Sequence, residues 1–250
     1  MKNRSKIGKE KTVENEKITL GLSGNVLKVL AAVSMVIDHV GVMIFPQNEL
    51  LRIIGRLAFP IFSYMICEGC RHTRNRLSYL LKILILGIVT TAIASVAEGE
   101  LYFDTLITFS CSITLILLLT KSRESKDKVG RALFRLSFFA VAVLFYLFTA
   151  KFTVDYGFCG IMLPVFPWVA EAIFSSKRKK LLLFSTSFWA FGIGLVLLSL
   201  DIGWVQPYSL IALIPLAFYN GQRGFSLPKY SFYVFYPLHV AVIYAISLIK

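Results

Sequence analysis

Two ionisable residues stand side by side in the first long apolar stretch of the sequence. Asp38 and His39 fall within the run from Val26 to Phe45, which is long enough to cross a bilayer as a helix. An ionisable group at that depth costs roughly 2 to 4 kcal/mol, so it usually serves a function. An imidazole accepts a proton near neutral pH or carries an acyl group, and a carboxylate neutralises a cation. The pair therefore predicts a polar site inside a membrane domain.

The next apolar segment supplies two cations to the same site. Arg52 and Arg56 are four residues apart and share one helix face. Pro60 cannot donate a hydrogen bond to the carbonyl of Arg56, so we expect a kink beside the guanidinium. At about 1.5 Å per residue, Arg56 lies at a depth similar to that of Asp38 and His39. We expect Asp38 to neutralise Arg56; a purely structural ion pair is the simpler alternative.

A second histidine comes from the last apolar segment. His239 follows Pro237 by two residues and lies near mid-depth when its helix is counted from the cytoplasmic end. Its two expected roles are a second base, or a hydrogen bond to the carbonyl of Tyr233 that Pro237 leaves free.

Composition identifies the class of protein that must position these residues. The chain has 250 residues, of which 56% are hydrophobic and 16% charged, and its mean hydropathy is +0.70. Soluble domains do not have this composition. The net charge of +13 is confined to short segments between apolar runs, which favours membrane topology over a nucleic-acid partner. Membrane lipids are the expected surroundings.

The apolar runs predict an all-α, polytopic helix bundle in the cell membrane, with about nine transmembrane helices. The candidate spans lie near residues 26–45, 53–70, 77–97, 105–120, 132–150, 156–174, 181–200, 205–219 and 230–249. Basic and non-basic breaks alternate between them, which places the N-terminus in the cytoplasm and the C-terminus outside. Residues 24–250 form the membrane domain, and residues 1–23 are expected to be a disordered cytoplasmic tail of mixed charge.

Several motifs, taken in order, carry a family resemblance. They are Met35-Val36-Ile37-Asp38-His39-Val40-Gly41, the run from Leu51 through Arg56 to Phe62, Glu68-Gly69, His72-Thr73, Asp155-Tyr156-Gly157, Tyr219-Asn220-Gly221 and Phe232 to His239. Together they resemble the TraX family over nearly the whole chain beyond Ser23. One departure is Asp104, where the family pattern leads us to expect asparagine.

The resemblance implies an integral-membrane acetyltransferase, because the family's namesake acetylates the N-terminus of conjugative pilin. Acetyl-CoA is then the co-substrate, no metal is expected, and the acceptor is an amine or hydroxyl of an envelope peptide or glycan. The expected catalytic residues are His39, Asp38, Arg56 and His239. The expected substrate- or cofactor-binding residues are Arg52, Glu68, Arg71, His72, Arg74 and Tyr236.

Some of these roles have open alternatives. His39 is expected to act as general base or to carry the acetyl group, while Arg56 or Arg52 holds the acceptor or stabilises the oxyanion. Arg71, Arg74 and Arg76 fit a landing site for coenzyme A phosphates, but also an ordinary positive-inside cluster. A transporter places the same residue types at mid-membrane, and a non-catalytic envelope assembly factor is the third possibility.

Overall fold

The computed structural model describes residues 21–174, 185–228 and 231–249. Most of the predicted tail, residues 1–20, lies outside them, whereas Leu22 joins the fold by donating its N–H to the carbonyl of Phe218. The chain is helical, with one pair of very short strands. The elements are α1 (Gly24–Met43), α2 (Glu49–Gly55), α3 (Ala58–His72), α4 (Arg76–Glu98), β1 (Tyr102–Phe103), α5 (Thr105–Glu124), α6 (Lys128–Lys151), β2 (Thr153–Val154), α7 (Gly157–Met162), α8 (Val165–Phe174), α9 (Thr186–Asp201), a 3-10 helix (Gln206–Ala212), α10 (Leu213–Ala217) and α11 (Ser231–Ser247).

Five helical segments are long and apolar enough to cross a membrane. They are α1, α2 with α3, α4, α5 and α6, each at least 20 residues long. The remaining predicted spans correspond to shorter apolar helices of 10–17 residues. The helical membrane architecture is thus confirmed, while the count of nine spans and the cytoplasmic N-terminus stay predictions.

The long helices begin at side chains that cap their free N–H groups. Ser23, Asn75, Asp104 and Asp127 each accept a hydrogen bond from a backbone N–H in the first turn of α1, α4, α5 and α6. Gly99 ends α4 with a φ of 75°, a left-handed conformation that glycine adopts without steric cost. Polar residues between apolar runs therefore set where these four helices start.

The predicted kink separates α2 from α3. The helix is interrupted at Arg56 and Leu57, one turn before Pro60, and resumes at Ala58. The N–H of Arg56 still bonds to the carbonyls of Arg52 and Ile53, so the break is local. It turns the Arg56 side chain toward α1.

Helix α5 forms the centre of the bundle, and α6 lies on its outside. In the apolar part of α5, 67% of the residues are buried, whereas in the apolar part of α6 only 6% are buried. The exposed apolar side chains of α6 suit contact with lipid. The strands β1 and β2 pair in parallel, with Tyr102 opposite Thr153 and Phe103 opposite Val154. This pairing joins the loops that follow α4 and α6 at one end of the bundle, here called the upper end.

Candidate functional site

A cavity of about 260 Å³ opens in the upper half of the bundle. Its walls come from α1, α2, α3, α4, the start of α5, α11 and the loops around β1 and β2. The polar residues that line this upper cavity are Asp38, His39, Arg52, Arg56, Thr90, Tyr102, Asp104, Thr105, Asp155, Tyr156 and Tyr236. Six of the expected site residues therefore meet here, since His239 packs directly behind the wall against His39.

Asp38 holds both arginines of the second segment. Its carboxylate lies 2.9 Å from Nη1 of Arg52 and 3.1 Å from Nη2 of Arg56. A second Arg56 nitrogen, Nη1, donates to Oε1 of Gln206 at 3.3 Å. Gly55 permits this approach, because a Cβ there would overlap the Asp38 side chain. The arrangement carries one more positive than negative charge on the side of the cavity next to His39.

The two histidines form one imidazole pair. Their ring centroids are 5.0 Å apart and their planes are nearly perpendicular. Nδ1 of His39 donates to the carbonyl of Met35 at 2.8 Å, which leaves Nε2 as the basic nitrogen of the neutral ring. Asp38 does not orient its neighbour.

Of the two roles expected for His239, the hydrogen bond to the carbonyl of Tyr233 is wrong. Nδ1 of His239 instead lies 3.0 Å from the carbonyl of Phe235, four residues before it, where a helical side chain reaches back without help from the proline. Nε2 of His239 is buried and has no hydrogen-bond partner among the described residues. The described residues therefore leave the hydrogen-bonding capacity of this nitrogen unused.

Tyr236 reaches the opposite wall of the upper cavity, where two carboxyl groups lie. Its hydroxyl donates to Oδ2 of Asp104 at 3.2 Å, and Thr90 donates to Oδ1 of the same carboxylate at 3.0 Å. Thr105 donates to a carboxylate oxygen of Asp155. Within the described ranges neither aspartate has a cation within 4 Å.

A second cavity of about 620 Å³ lies at the other end of the bundle, near the start of α1. Glu68, His72 and Arg74 line this lower cavity, as expected, and they are joined by Lys28, Lys82 and Arg223. None of Lys28, Arg74, Lys82 or Arg223 forms an ion pair with a described acidic residue. The lower cavity is therefore strongly basic.

Arg71 lies in a buried ion network instead of the lower cavity. Its guanidinium pairs with Glu68 and lies 2.8 Å from Glu171, and it donates to the hydroxyl of Tyr64. The hydroxyl of Tyr219 donates to the other Glu68 oxygen at 2.9 Å. The Arg71 side chain is nearly buried, its charge is balanced by two carboxylates and it does not line the lower cavity, so the structure assigns it to fixing α3 against α8.

The comparison with known families bears on this pair of cavities. The family model described as TraX protein matches residues 23–247, which is most of the chain. The chain belongs to the TraX family. The matched range contains both cavities, so the TraX resemblance of the sequence motifs is confirmed.

Two curated relatives are also similar to this TraX-family chain. One is a probable fimbrial assembly protein, FimC of serogroup H1, from Dichelobacter nodosus, which is 26% identical over 87% of this chain and 92% of its own length. The other is an uncharacterized protein of Rickettsia prowazekii (strain Madrid E), 26% identical over 59% of this chain and 55% of its own. No solved structure matches the chain at a significant level.

Sequence reasoning missed five charged residues of this TraX-family site: Asp104 and Asp155 in the upper cavity, and Lys28, Lys82 and Arg223 in the lower one. The two aspartates had a detectable signal, because each stands at a junction between an apolar run and a loop. The three cations had none, since lysine and arginine at helix ends match the ordinary positive-inside pattern.

Burial alters the proton affinity of the two upper carboxyls. Removal from water raises the pKa of Asp104 to about 6, and it raises the pKa of Asp155 as well. The neighbouring negative charge of Asp155 adds to the increase at Asp104, whereas hydrogen bonds from Leu106, Thr90 and Tyr236 oppose it.

Asp104→Asn is expected to stabilise the TraX-family chain at pH 7 and to flatten its stability profile. The unfolded pKa of aspartate is about 3.9, so the folded wild type binds more protons than the unfolded chain between about pH 4 and pH 6. Wild-type stability must fall as the pH rises through this window. Thermal unfolding of both proteins from pH 4 to pH 7 measures the difference, and parallel profiles would refute the assignment.

Proposed function

We propose that the chain is an integral-membrane acetyltransferase, which moves an acetyl group from cytoplasmic acetyl-CoA to an amine or hydroxyl of an envelope acceptor. The observation that carries the proposal is that the His39 imidazole and the Arg56 guanidinium, which is ion-paired with Asp38, line one cavity inside the bundle. A donor that cannot cross lipid and an acceptor that stays in the envelope require a site of this kind.

The chemistry of direct transfer follows from these groups. Nε2 of His39 takes the proton from the acceptor amine or hydroxyl as its nitrogen or oxygen bonds to the thioester carbonyl carbon. Arg56 donates hydrogen bonds to the oxyanion that forms. When the intermediate collapses, the carbon–sulfur bond breaks and the thiolate takes the proton from the His39 imidazolium. Asp38 fixes Arg56 throughout.

The alternative is a covalent step on His39 itself. Nε2 of His39 attacks the thioester carbonyl carbon, the carbon–sulfur bond breaks, and coenzyme A leaves as the thiolate. The acceptor amine or hydroxyl then attacks the acetyl carbon, the bond to His39 breaks, and the acceptor's proton passes to a base. The free Nε2 of His239, next to His39, suits the base for this second step. Rapid-quench detection of acetylated His39 distinguishes the two routes.

The nature of the relatives supports an acceptor in the envelope. One relative is named as a probable fimbrial assembly protein, and it covers nearly the whole of this chain. A pilin-like peptide N-terminus is therefore the first acceptor to test, followed by surface glycans. Mass spectrometry of envelope material with and without the protein identifies which of them gains an acetyl group.

The charge pattern supports a cytoplasmic lower end. The helix ends there carry Lys28, Arg74, Arg76, Lys121 and Arg131, among other cations. Basic and non-basic breaks alternate along the sequence, which suits a topology of nine crossings. This orientation gives the donor access to the lower cavity.

A pair of single cysteines tests this orientation. Lys126→Cys is expected to react with a membrane-impermeant maleimide only from the cytoplasmic side, and Asp201→Cys only from the outside, because both residues are exposed at opposite ends of the bundle. Labelling of intact and inverted vesicles measures the side. Labelling of both positions from one face would overturn the orientation.

Transfer of labelled acetyl from acetyl-CoA by the purified protein tests the function. Formation of acetylated acceptor, absent with His39→Ala, supports the enzyme. Uptake of an unmodified substrate by liposomes, without acetylated product, would identify a transporter. Full complementation of envelope assembly by a folded His39→Ala protein would identify a non-catalytic assembly factor.

A further inference from the structure

An apolar passage of about 250 Å³ lies between the two cavities. It is bounded by α1, α3, α4, α11 and the start of α5, and its wall includes Ile66, Ile83, Leu86 and Leu106. At its upper end it shares Phe62, Phe109 and Tyr236 with the upper cavity. The passage therefore reaches the wall that faces His39.

The other end of the passage opens on the basic cavity. Seven residues line both spaces: Asn25, Lys28, Met65, Gly69, Tyr79, Arg223 and Tyr233. Along α3, Gly69 and Phe62 are seven residues apart, which corresponds to about 10 Å of helix. An apolar space thus lies between the cations of the lower cavity and the cavity that His39 lines.

From the lower to the upper end of the bundle, the three spaces change from basic to apolar and then to polar. The lower cavity offers Lys28, Arg74, Lys82 and Arg223, which attract phosphate groups. The passage offers mainly aliphatic and aromatic surface, which suits a slender uncharged chain. The upper cavity offers a base and an oxyanion donor, which suit a thioester.

Resting on the proposed function, we propose that the passage holds the pantetheine arm of coenzyme A. The nucleotide phosphates then lie on Lys28, Arg74, Lys82 and Arg223, and the thioester reaches the upper cavity beside His39. The donor remains at the lower end of the bundle while its acetyl group reaches mid-membrane. Of the three arginines expected to bind phosphate, only Arg74 belongs to this site, because Arg76 lies 3.4 Å from Glu124 and donates to the carbonyl of Cys70.

Leu86→Trp tests the passage directly, because the larger ring fills it from the α4 side. The matched control is Ile88→Trp on the same helix, whose side chain is exposed on the outside of the bundle. Binding is titrated with coenzyme A and with 3′-phospho-ADP, which carries the phosphates without the arm. We expect Leu86→Trp to weaken coenzyme A binding about tenfold or more and to leave 3′-phospho-ADP binding unchanged.

The basic end has a separate test that does not disturb the packing. The double variant Lys28→Gln, Arg223→Gln is expected to weaken binding of both ligands, and the salt dependence of binding should decrease. This result is obtained whether or not Leu86→Trp folds. Unchanged binding of both ligands would overturn the assignment of the phosphates.

A short donor separates failure of the passage from failure of the function. An acetyl thioester of N-acetylcysteamine lacks the nucleotide, so Leu86→Trp should still transfer its acetyl group when this donor is supplied from the upper side. Equal coenzyme A affinity in Leu86→Trp and Ile88→Trp would refute the binding of the pantetheine arm in the passage. It would not contradict the proposed acetyltransferase activity. Absence of transfer from either donor by the wild type would instead refute the proposed function.

Discussion

His39→Ala is expected to lower the rate of acetyl transfer about 10²–10⁴-fold. The variant removes the only histidine nitrogen that lines the upper cavity in the described part of the chain, while the hydrogen bond it loses, to the carbonyl of Met35, is local to α1. Coenzyme A affinity should change little, because the proposed phosphate site lies at the opposite end of the bundle. Single-turnover transfer and equilibrium binding measure the two quantities separately.

The matched control for this variant is Val33→Ala. Val33 lies on the same helix and is 53% exposed on the outside of the bundle, so its replacement should preserve activity. Both variants should keep the thermal unfolding temperature of the wild type within a few degrees. A folded His39→Ala protein that transfers acetyl at the wild-type rate would show that the imidazole is not needed for catalysis.

Asp38→Ala is expected to destabilise the fold by about 3 kcal/mol, the lower end of the range for breaking a buried ion pair. It leaves two guanidinium groups facing the upper cavity without their carboxylate, and the Arg56 side chain is only 11% exposed. Arg52 is 30% exposed and recovers part of its hydration, which limits the loss. Denaturation in mixed micelles measures the change in the free energy of unfolding.

Gly55→Ala provides an independent route to the same ion pair. The added Cβ would overlap Asp38 and push it away from the arginines, so stability and transfer should both fall. Gly192→Ala is the control, because its Cβ would meet only Leu213 at an ordinary 3.9 Å within a helix. If Gly55→Ala unfolds at the same denaturant concentration as the wild type, Gly55 does not pack closely against Asp38.

The upper site was largely predictable because membrane burial makes its residues conspicuous. Asp38, His39 and Arg56 lie within apolar runs, and helix rise alone puts them at one depth. Pro60 marks the break that directs Arg56 toward α1. The position of a residue along its helix gives its depth but not the hydrogen-bond partner of its side chain. The carbonyl proposed for His239 was therefore not the one that it contacts.

The lower site was less predictable, because its residues lie where cations are common. Arg71 and Arg74 are only three residues apart. Arg71 forms ion pairs with Glu68 and Glu171, whereas Arg74 lines the lower cavity. That division depends on the packing of α8, which is distant in sequence. Lys28 and Arg223 come together only because the start of α1 bonds to the loop before α11.

The most direct test of an enzyme that acts across the membrane is the sidedness of transfer. Proteoliposomes are loaded with labelled acetyl-CoA on the side of the lower cavity, and the acceptor is supplied only on the other side. Labelled acetyl should appear covalently on the acceptor, with free coenzyme A retained on the loading side, and His39→Ala should produce none. Appearance of intact acetyl-CoA beside the acceptor, or no label on it at all, would contradict a transferase site within the bundle.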